Sequence, residues 1–386
     1  MTRQFLARLL LFALPFVAYA TMILVLPIDI MTFRSWEALS AYSPNRFNGP
    51  FYPNVHLDRM EVGDLGPHSK FAQSKHVTFD TDDFGNRSYL PRDVFPEVVI
   101  AGDSMGHGSG IDQRDMLAEQ LAERLPGHTF YTVDLKAFLH DPRLKTHPPR
   151  VLVVEQVERS LRRGTFALEA PPREWLDDVR DTWGAARSAF VALDRVQRTH
   201  VYATLSLGAR LANRRLVVER DEPPAMLFSG PEVDGAWTEA GLTDTLRVLE
   251  RLRAEADGRA VGRERTRLIV LPVPDKENIY AARVPEPVRV KDPDKRGDFL
   301  RRFRADASAR GLTVCDLQDA FEKNRGLGLY QPDDTHWGPV GVRIAADLLA
   351  EHLRPMLQMS SKSAPLGTLP PTGGVDVLAR ALSARR

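Results

Sequence analysis

Hydrophobic and polar positions along this chain follow two rhythms. Five short runs are apolar at nearly every position: "EVVIAGDS" (97–104), "HTFYTVDL" (128–135), "RVLVVEQV" (150–157), "TRLIVLPVP" (266–274) and "GLTVCDL" (311–317). Each predicts a strand buried on both faces. Between them the apolar spacing changes to that of a helix. Leu117, Leu121 and Leu125 share one face, with Pro-Gly as the stop. Leu242, Leu246, Leu249 and Leu252 share another, ended by Gly258. Val342, Ala345, Ala346, Leu349 and Leu353 form a third. Strands of this kind separated by helices predict an α/β fold, a parallel sheet with helices on both faces.

Several segments depart from that rhythm. Residues 32–75 carry scattered Pro, Asn, Tyr and His and read as an irregular stem, with the globular part beginning near "KHVTFDTDDFGNRS". Residues 160–262 read as a helical insertion between the third and fourth strands, carrying "EWLDDVRDTWGAARSAFVALDRVQRTH". Residues 359–386 are polar and rich in Pro and Gly, and are expected to be disordered. At the other end Arg3 and Arg8 precede Leu9–Ile28, a run without charge, and Asp29 follows it. A run of that length suffices to cross a bilayer as a helix, and the basic flank favours a cytoplasmic N-terminus. The alternative is a cleaved signal peptide, since Ala18-Tyr19-Ala20 resembles a cleavage site. The apolar run continues through "TMILVLPI", which favours an uncleaved anchor over residues 1–31. Either way the remainder of the chain is exported.

Composition narrows the chemistry. The chain has 386 residues with 52 Lys plus Arg against 51 Asp plus Glu, a balance that gives no support to nucleic-acid binding. One cysteine, Cys315, excludes an internal disulfide and a Cys-based metal site. The ten histidines show no metal spacing such as H-E-x-x-H, and there is no phosphate-binding or dinucleotide-binding glycine motif at a strand–helix junction. No metal or cofactor is expected.

The candidate chemistry lies in two distant stretches. The first strand stops at Gly102-Asp103-Ser104, with further glycines at 106, 108 and 110. In an open α/β sheet, ligands bind beyond the carboxyl ends of the strands, which is where Ser104 falls. A serine hydroxyl needs a base, and usually an acid behind the base, to become a nucleophile. Both are on offer in "LYQPDDTHWGPVGVRIAADLLAEHL", where Asp333, Asp334 and His336 precede the last helix. Either stretch alone fits a helix cap or a turn. Together they predict Ser104 as nucleophile, His336 as base and Asp334 as orienting acid, with Asp333 as the alternative acid. The glycines are expected to turn the backbone sharply and leave room for an acyl group. His107 lies in the same turn and is not the expected base.

At these residues the chain resembles the SGNH hydrolases, and within them the branch of alginate O-acetyltransferases and other exopolysaccharide acetyltransferases. The resemblance rests on GDS after the first strand, "DTHW…G" (Asp334–Trp337 and Gly341), "LIVLPVPDKENIY" (268–280) and "VEQVERSL" (154–161), and spans residues 76–356. It implies an SGNH-like, flavodoxin-like sheet over 76–358. It further implies a bacterial inner-membrane protein with its catalytic domain in the periplasm, transferring acetyl groups through an acyl-serine to a polysaccharide acceptor. The acetyl donor would come from a membrane-embedded acyltransferase partner. An exported carbohydrate esterase and a non-catalytic polysaccharide-binding assembly protein are the alternatives. The chain departs from the wider family in lacking a Gly after the second strand and a Gly-x-Asn-Asp after the third. That leaves the Ser104 N–H, Gly106, Gln156 and Arg159 as candidate oxyanion or substrate contacts. Lys276 and Tyr280 are further candidate oxyanion or substrate contacts, and are expected to shape the site.

Overall fold

The computed structural model describes residues 3–25, 49–51, 54–66, 71–87, 90, 94–164, 217–220, 225–229, 237–261, 264–284 and 294–358. The five expected strands form one parallel sheet: β3 (Val98–Ala101), β4 (Phe130–Val133), β5 (Val151–Val157), β8 (Arg267–Val273) and β9 (Thr313–Val314), in the spatial order β9-β8-β5-β3-β4. Val98 and Arg267 both register with Val151. By sequence this is the order 2-1-3-4-5 read from the other edge, the flavodoxin-like arrangement. Its strand order reverses between β3 and β5, and a crevice for ligands opens there.

The strands alternate their side chains between two cores, which is why each strand is apolar throughout. Val98, Ile100, Val153, Ile269 and Leu271 pack with Leu117 and Leu121 of α2 (Leu117–Arg124) and with Val342, Leu349 and Leu353 of α8 (Pro339–Gln358). Val99, Leu152, Val154 and Val270 pack on the opposite side with Leu242, Leu246, Leu249 and Leu252 of α4 (Glu239–Gly258). Phe299 and Phe303 of α6 (Asp294–Ala309) join that second core. Leu249 is wholly buried, and its truncation to Ala costs about 2–5 kcal/mol by analogy with other core leucines. The helix α4 therefore belongs to the covering layer of the sheet, which corrects its expected place in a helical insertion. The same stretch also holds a hairpin, β6 (Val217–Arg220) with β7 (Met226–Ser229), whose Met226 and Phe228 enter the first core. The expected helix at 174–200 and the tail at 359–386 lie outside the described residues.

The stem expectation gives way over its second half. β1 (His56–Glu61) pairs antiparallel with β2 (Lys75–Asp80), and Phe51 stacks edge-on against Phe79 at 4.9 Å. At the N-terminus α1 runs from Arg3 to Val25, shorter at its end than the expected span of 9–28, and Phe5, Leu9–Phe12, Leu14, Phe16 and Val17 are exposed. Among the described residues no helix is long and apolar enough to cross a membrane.

Candidate active site

Ser104 follows β3 by three residues and His336 precedes α8 by three, so both stand at the carboxyl edge of the sheet. The structure brings them together across 232 positions of sequence: His336 Nε2 lies 2.7 Å from Ser104 Oγ. On its other side His336 Nδ1 lies 2.6 Å from Asp334 Oδ1, which also accepts the His336 backbone N–H at 3.1 Å. Asp334 and His336 are buried and Ser104 is half-buried. A carboxylate on Nδ1 fixes the tautomer that leaves Nε2 free to take a proton, and stabilises the imidazolium that results. Asp333, the alternative acid, faces elsewhere. Its Oδ2 accepts the N–H groups of Gly63 (2.9 Å) and Gln73 (2.8 Å), and its carbonyl accepts that of Leu65 (3.1 Å). It ties the loop that carries Asp334 and His336 to the N-terminal hairpin.

The loop 329–337 is held from below by a lysine. Lys276, on the short helix α5 (Lys276–Ile279) after β8, is wholly buried. Its ammonium donates to the carbonyls of Gln331 (2.7 Å), Pro332 (2.9 Å) and Asp334 (2.8 Å). Burial lowers its pKa to about 8, although Glu277 and Asp334 pull it back up. The Tyr280 hydroxyl accepts the Leu329 N–H at 3.2 Å, and the Leu227 N–H of β7 donates to Pro332. Lys276 and Tyr280 thus fix the loop, and with the Lys276 ammonium spent on three carbonyls and the Tyr280 hydroxyl on a backbone N–H they are not placed as oxyanion or substrate contacts. Trp337 closes the arrangement, its indole N–H donating to the Met105 carbonyl at 3.1 Å.

The oxyanion candidates fare differently. Among the described residues the Ser104 N–H has no acceptor, so it can meet a developing oxyanion. Gly106 cannot, because its N–H is given to Glu155 Oε2 at 2.9 Å. Arg159 is committed to Asp275 Oδ1 at 2.8 Å, where Arg162 takes the other oxygen at 2.7 Å. Gln156 is buried near the end of β5, and nothing ties its side chain to Ser104. His107 is buried with Nε2 3.1 Å from Asp134 Oδ1, away from the role of base.

Gly108 and Gly110 turn the backbone as expected, at φ of 70° and 71°, but Gly102 and Gly106 serve another purpose than room for an acyl group. A Cβ on Gly102 or Gly106 would stand 2.3 or 2.6 Å from Glu155 Oε2, so both positions make room for a buried carboxyl and not for an acyl group. Sequence reasoning missed Glu155, although its signal was present: an acid near the end of an otherwise apolar strand. It also missed Arg87, wholly buried, which donates to the carbonyls of Gly108, Ile111 and Thr78 and pins the glycine-rich turn to β2.

Two residues from the supposed stem reach Asp334 and His336. Asp64 accepts the Thr335 N–H (2.7 Å) and hydroxyl (2.5 Å) and lies 3.8 Å from His336 Nδ1. Lys75 Nζ lies 3.4 Å from Asp334 Oδ2. Asp64, Asp334 and His336 present ligand atoms within 4.8 Å of one another. His336 Nδ1 is taken up by Asp334 and a lysine ammonium stands at the same carboxylate, so this donor set suits a hydrogen-bond relay better than a cation.

Residues 227–375 match the family described as SGNH hydrolase-like domain, acetyltransferase AlgX. The matched stretch contains Lys276, Tyr280, Asp333, Asp334 and His336 and does not extend to Ser104. A crystal structure of a carbohydrate acetylesterase family member from Sinorhizobium meliloti is similar over 68% of this chain and 99% of its own, at 13% identity and a TM-score of 0.32. No curated protein matches the chain.

Proposed function

We propose that this chain, SGNH/AlgX-like over residues 227–375, is an O-acetyltransferase that acylates hydroxyls of an exopolysaccharide or cell-surface glycan through an acyl-Ser104 intermediate. The observation that carries the reading is the hydrogen-bonded series Ser104–His336–Asp334, with 2.7 and 2.6 Å contacts at the point where the strand order reverses. His336 Nε2 takes the Ser104 proton as Oγ attacks the acetyl carbonyl of the donor. The negative charge that develops on the carbonyl oxygen meets the Ser104 N–H. The tetrahedral centre collapses, the donor's leaving group departs with the proton from His336, and acetyl-Ser104 remains. A sugar hydroxyl then gives its proton to His336, attacks the ester and leaves acetylated, and Ser104 recovers its proton.

The exposed apolar side chains of α1 support attachment of the chain to a membrane, and the basic Arg3 and Arg8 before that run fit the bacterial inner membrane with the remainder in the periplasm. An acetyl donor delivered by a membrane-embedded acyltransferase partner fits that placement. Water in place of the sugar would make the same machinery an esterase. The full chain, incubated in detergent with an acetyl ester with and without oligosaccharides, should acetylate a sugar hydroxyl. Free acetate as the sole product at saturating oligosaccharide would favour the esterase, and an unchanged rate for Ser104→Ala would end both readings.

A further inference from the structure

Glu155 takes no part in the Ser104–His336–Asp334 series, yet it sits wholly buried two residues before the end of β5, beneath the turn that carries Ser104. Its Oε2 accepts the N–H of Asp103 at 3.1 Å and of Gly106 at 2.9 Å, one on each side of the nucleophile. The two glycines that flank these bonds, 102 and 106, leave no space for a side chain beside that oxygen. Its other oxygen, Oε1, is buried and has no hydrogen-bond partner among the described residues.

Among the described residues the charged groups around it do not provide for an anion. Asp103, on the turn itself, is of like charge, and its carboxylate is spent on the N–H groups of Met105 (2.8 Å) and Val157 (3.2 Å). Arg159, at the start of α3 (Glu158–Arg163), faces it but is engaged by Asp275. His107, on the same turn, pairs with Asp134, and His336 is held by Asp334. A buried anion without solvent or a committed countercharge is strongly disfavoured. It would also oppose the negative charge that develops beside the Ser104 N–H.

We propose that Glu155 is a positioning residue for the nucleophile turn and that it works as a neutral carboxylic acid. One oxygen aligns the turn through two backbone N–H groups, which leaves the Ser104 N–H directed at the reacting carbonyl, while the absence of charge spares the oxyanion. Burial first, and then Asp103, push the Glu155 carboxyl well above the ordinary carboxylate range, in keeping with this state. The inference rests on the acyl-transfer reading of Ser104.

The test uses the full chain in detergent with Glu155→Gln and Glu155→Ala. Gln keeps a neutral oxygen acceptor of the same shape. It should fold and keep turnover close to that of the parent. Ala leaves both N–H groups without an acceptor and should lower kcat about a hundredfold, the effect of a small misplacement of reacting groups, with KM little changed. Two readouts are independent of turnover. An infrared band of a protonated carboxyl should persist at neutral pH in the parent and vanish in Glu155→Gln. The stability of the parent relative to Glu155→Gln should fall as pH rises above about 4.5, where an unfolded glutamate ionises, because the folded state retains its proton there. A Gln variant as impaired as the Ala variant, no such band, or a stability difference flat with pH would overturn the proposal. Turnover unaffected by Ser104→Ala would instead overturn the acyl-transfer reading, and the band and the stability difference would still report on Glu155.

Discussion

Replacement of the two neighbouring aspartates separates their roles. Asp334 Oδ1 holds His336 Nδ1 at 2.6 Å, and Lys75 stands 3.4 Å from Oδ2. An asparagine at 334 can take either of two orientations. With its oxygen toward His336 the tautomer survives, but a charge-assisted bond becomes a neutral one, a loss of about 1.5–3 kcal/mol in the state where His336 is protonated. With its NH2 toward His336 the proton moves to Nε2, and the base can no longer accept from Ser104. Loss of that kind has cost about 10⁴-fold in a serine protease triad. Asp334→Asn should therefore lower kcat by between about tenfold and 10⁴-fold. Asp333→Asn should act differently, because an amide oxygen can still accept the N–H groups of Gly63 and Gln73. Asp333→Ala removes that acceptor and should cost stability of about 1–3 kcal/mol per orphaned N–H. The assay is the initial rate of p-nitrophenol release from p-nitrophenyl acetate, read beside the denaturation midpoint of each variant. If Asp333→Asn abolished turnover at an unchanged midpoint while Asp334→Asn stayed within about twofold of the parent, the assignment of the acid would be wrong.

Other perturbations probe the supports of the site. Lys276 loses its proton at about 8 in the folded chain against 10.5 for an ordinary lysine, so the unfolded state binds more protons between those values. The stability of the parent relative to Lys276→Met should therefore rise with pH across that window, as measured by denaturant titration. Gly106→Ala sets a Cβ 2.6 Å from Glu155 Oε2 and should lower kcat about a hundredfold, and a rate equal to the parent's would show that the turn does not depend on that contact. Asp64→Ala releases the Thr335 N–H and hydroxyl and should lower kcat about tenfold, the equivalent of one lost hydrogen bond, while an unchanged rate would make Asp64 a surface tie.

The sheet was legible in the sequence because a doubly covered parallel strand is apolar at consecutive positions, and "RVLVVEQV" and "TRLIVLPVP" carry that signal from Val151 to Val154 and from Leu268 to Val273. The last helix was legible for the matching reason, its buried positions recurring at helical spacing from Val342 to Leu353. Ser104, Asp334 and His336 could be proposed because chemistry of this kind sits at strand ends and helix starts. Their supports were hidden because they act through long-range backbone contacts, which leave no local pattern. Lys276 reads as a turn lysine until its three carbonyl partners from 331–334 are seen. The hairpin β1–β2 has exposed or half-exposed residues at most positions, so its strands lacked an apolar run, and with them Asp64 and Lys75 went unnoticed. The role of α4 was misassigned for a different reason. Its apolar stripe is equally suited to an insertion and to a covering layer, and only the sheet it packs against decides between them.

The central claim is that Ser104 carries the acetyl group between donor and acceptor. Its most direct test is mass spectrometry of peptides from the full chain, quenched with acid during turnover of an acetyl ester. The account predicts one acetyl group on Ser104, accumulating when no oligosaccharide is present, discharged when an acceptor is added, and absent in Ser104→Ala. Turnover with Ser104 unmodified, or an acetyl group on another residue that the acceptor discharges, would contradict it.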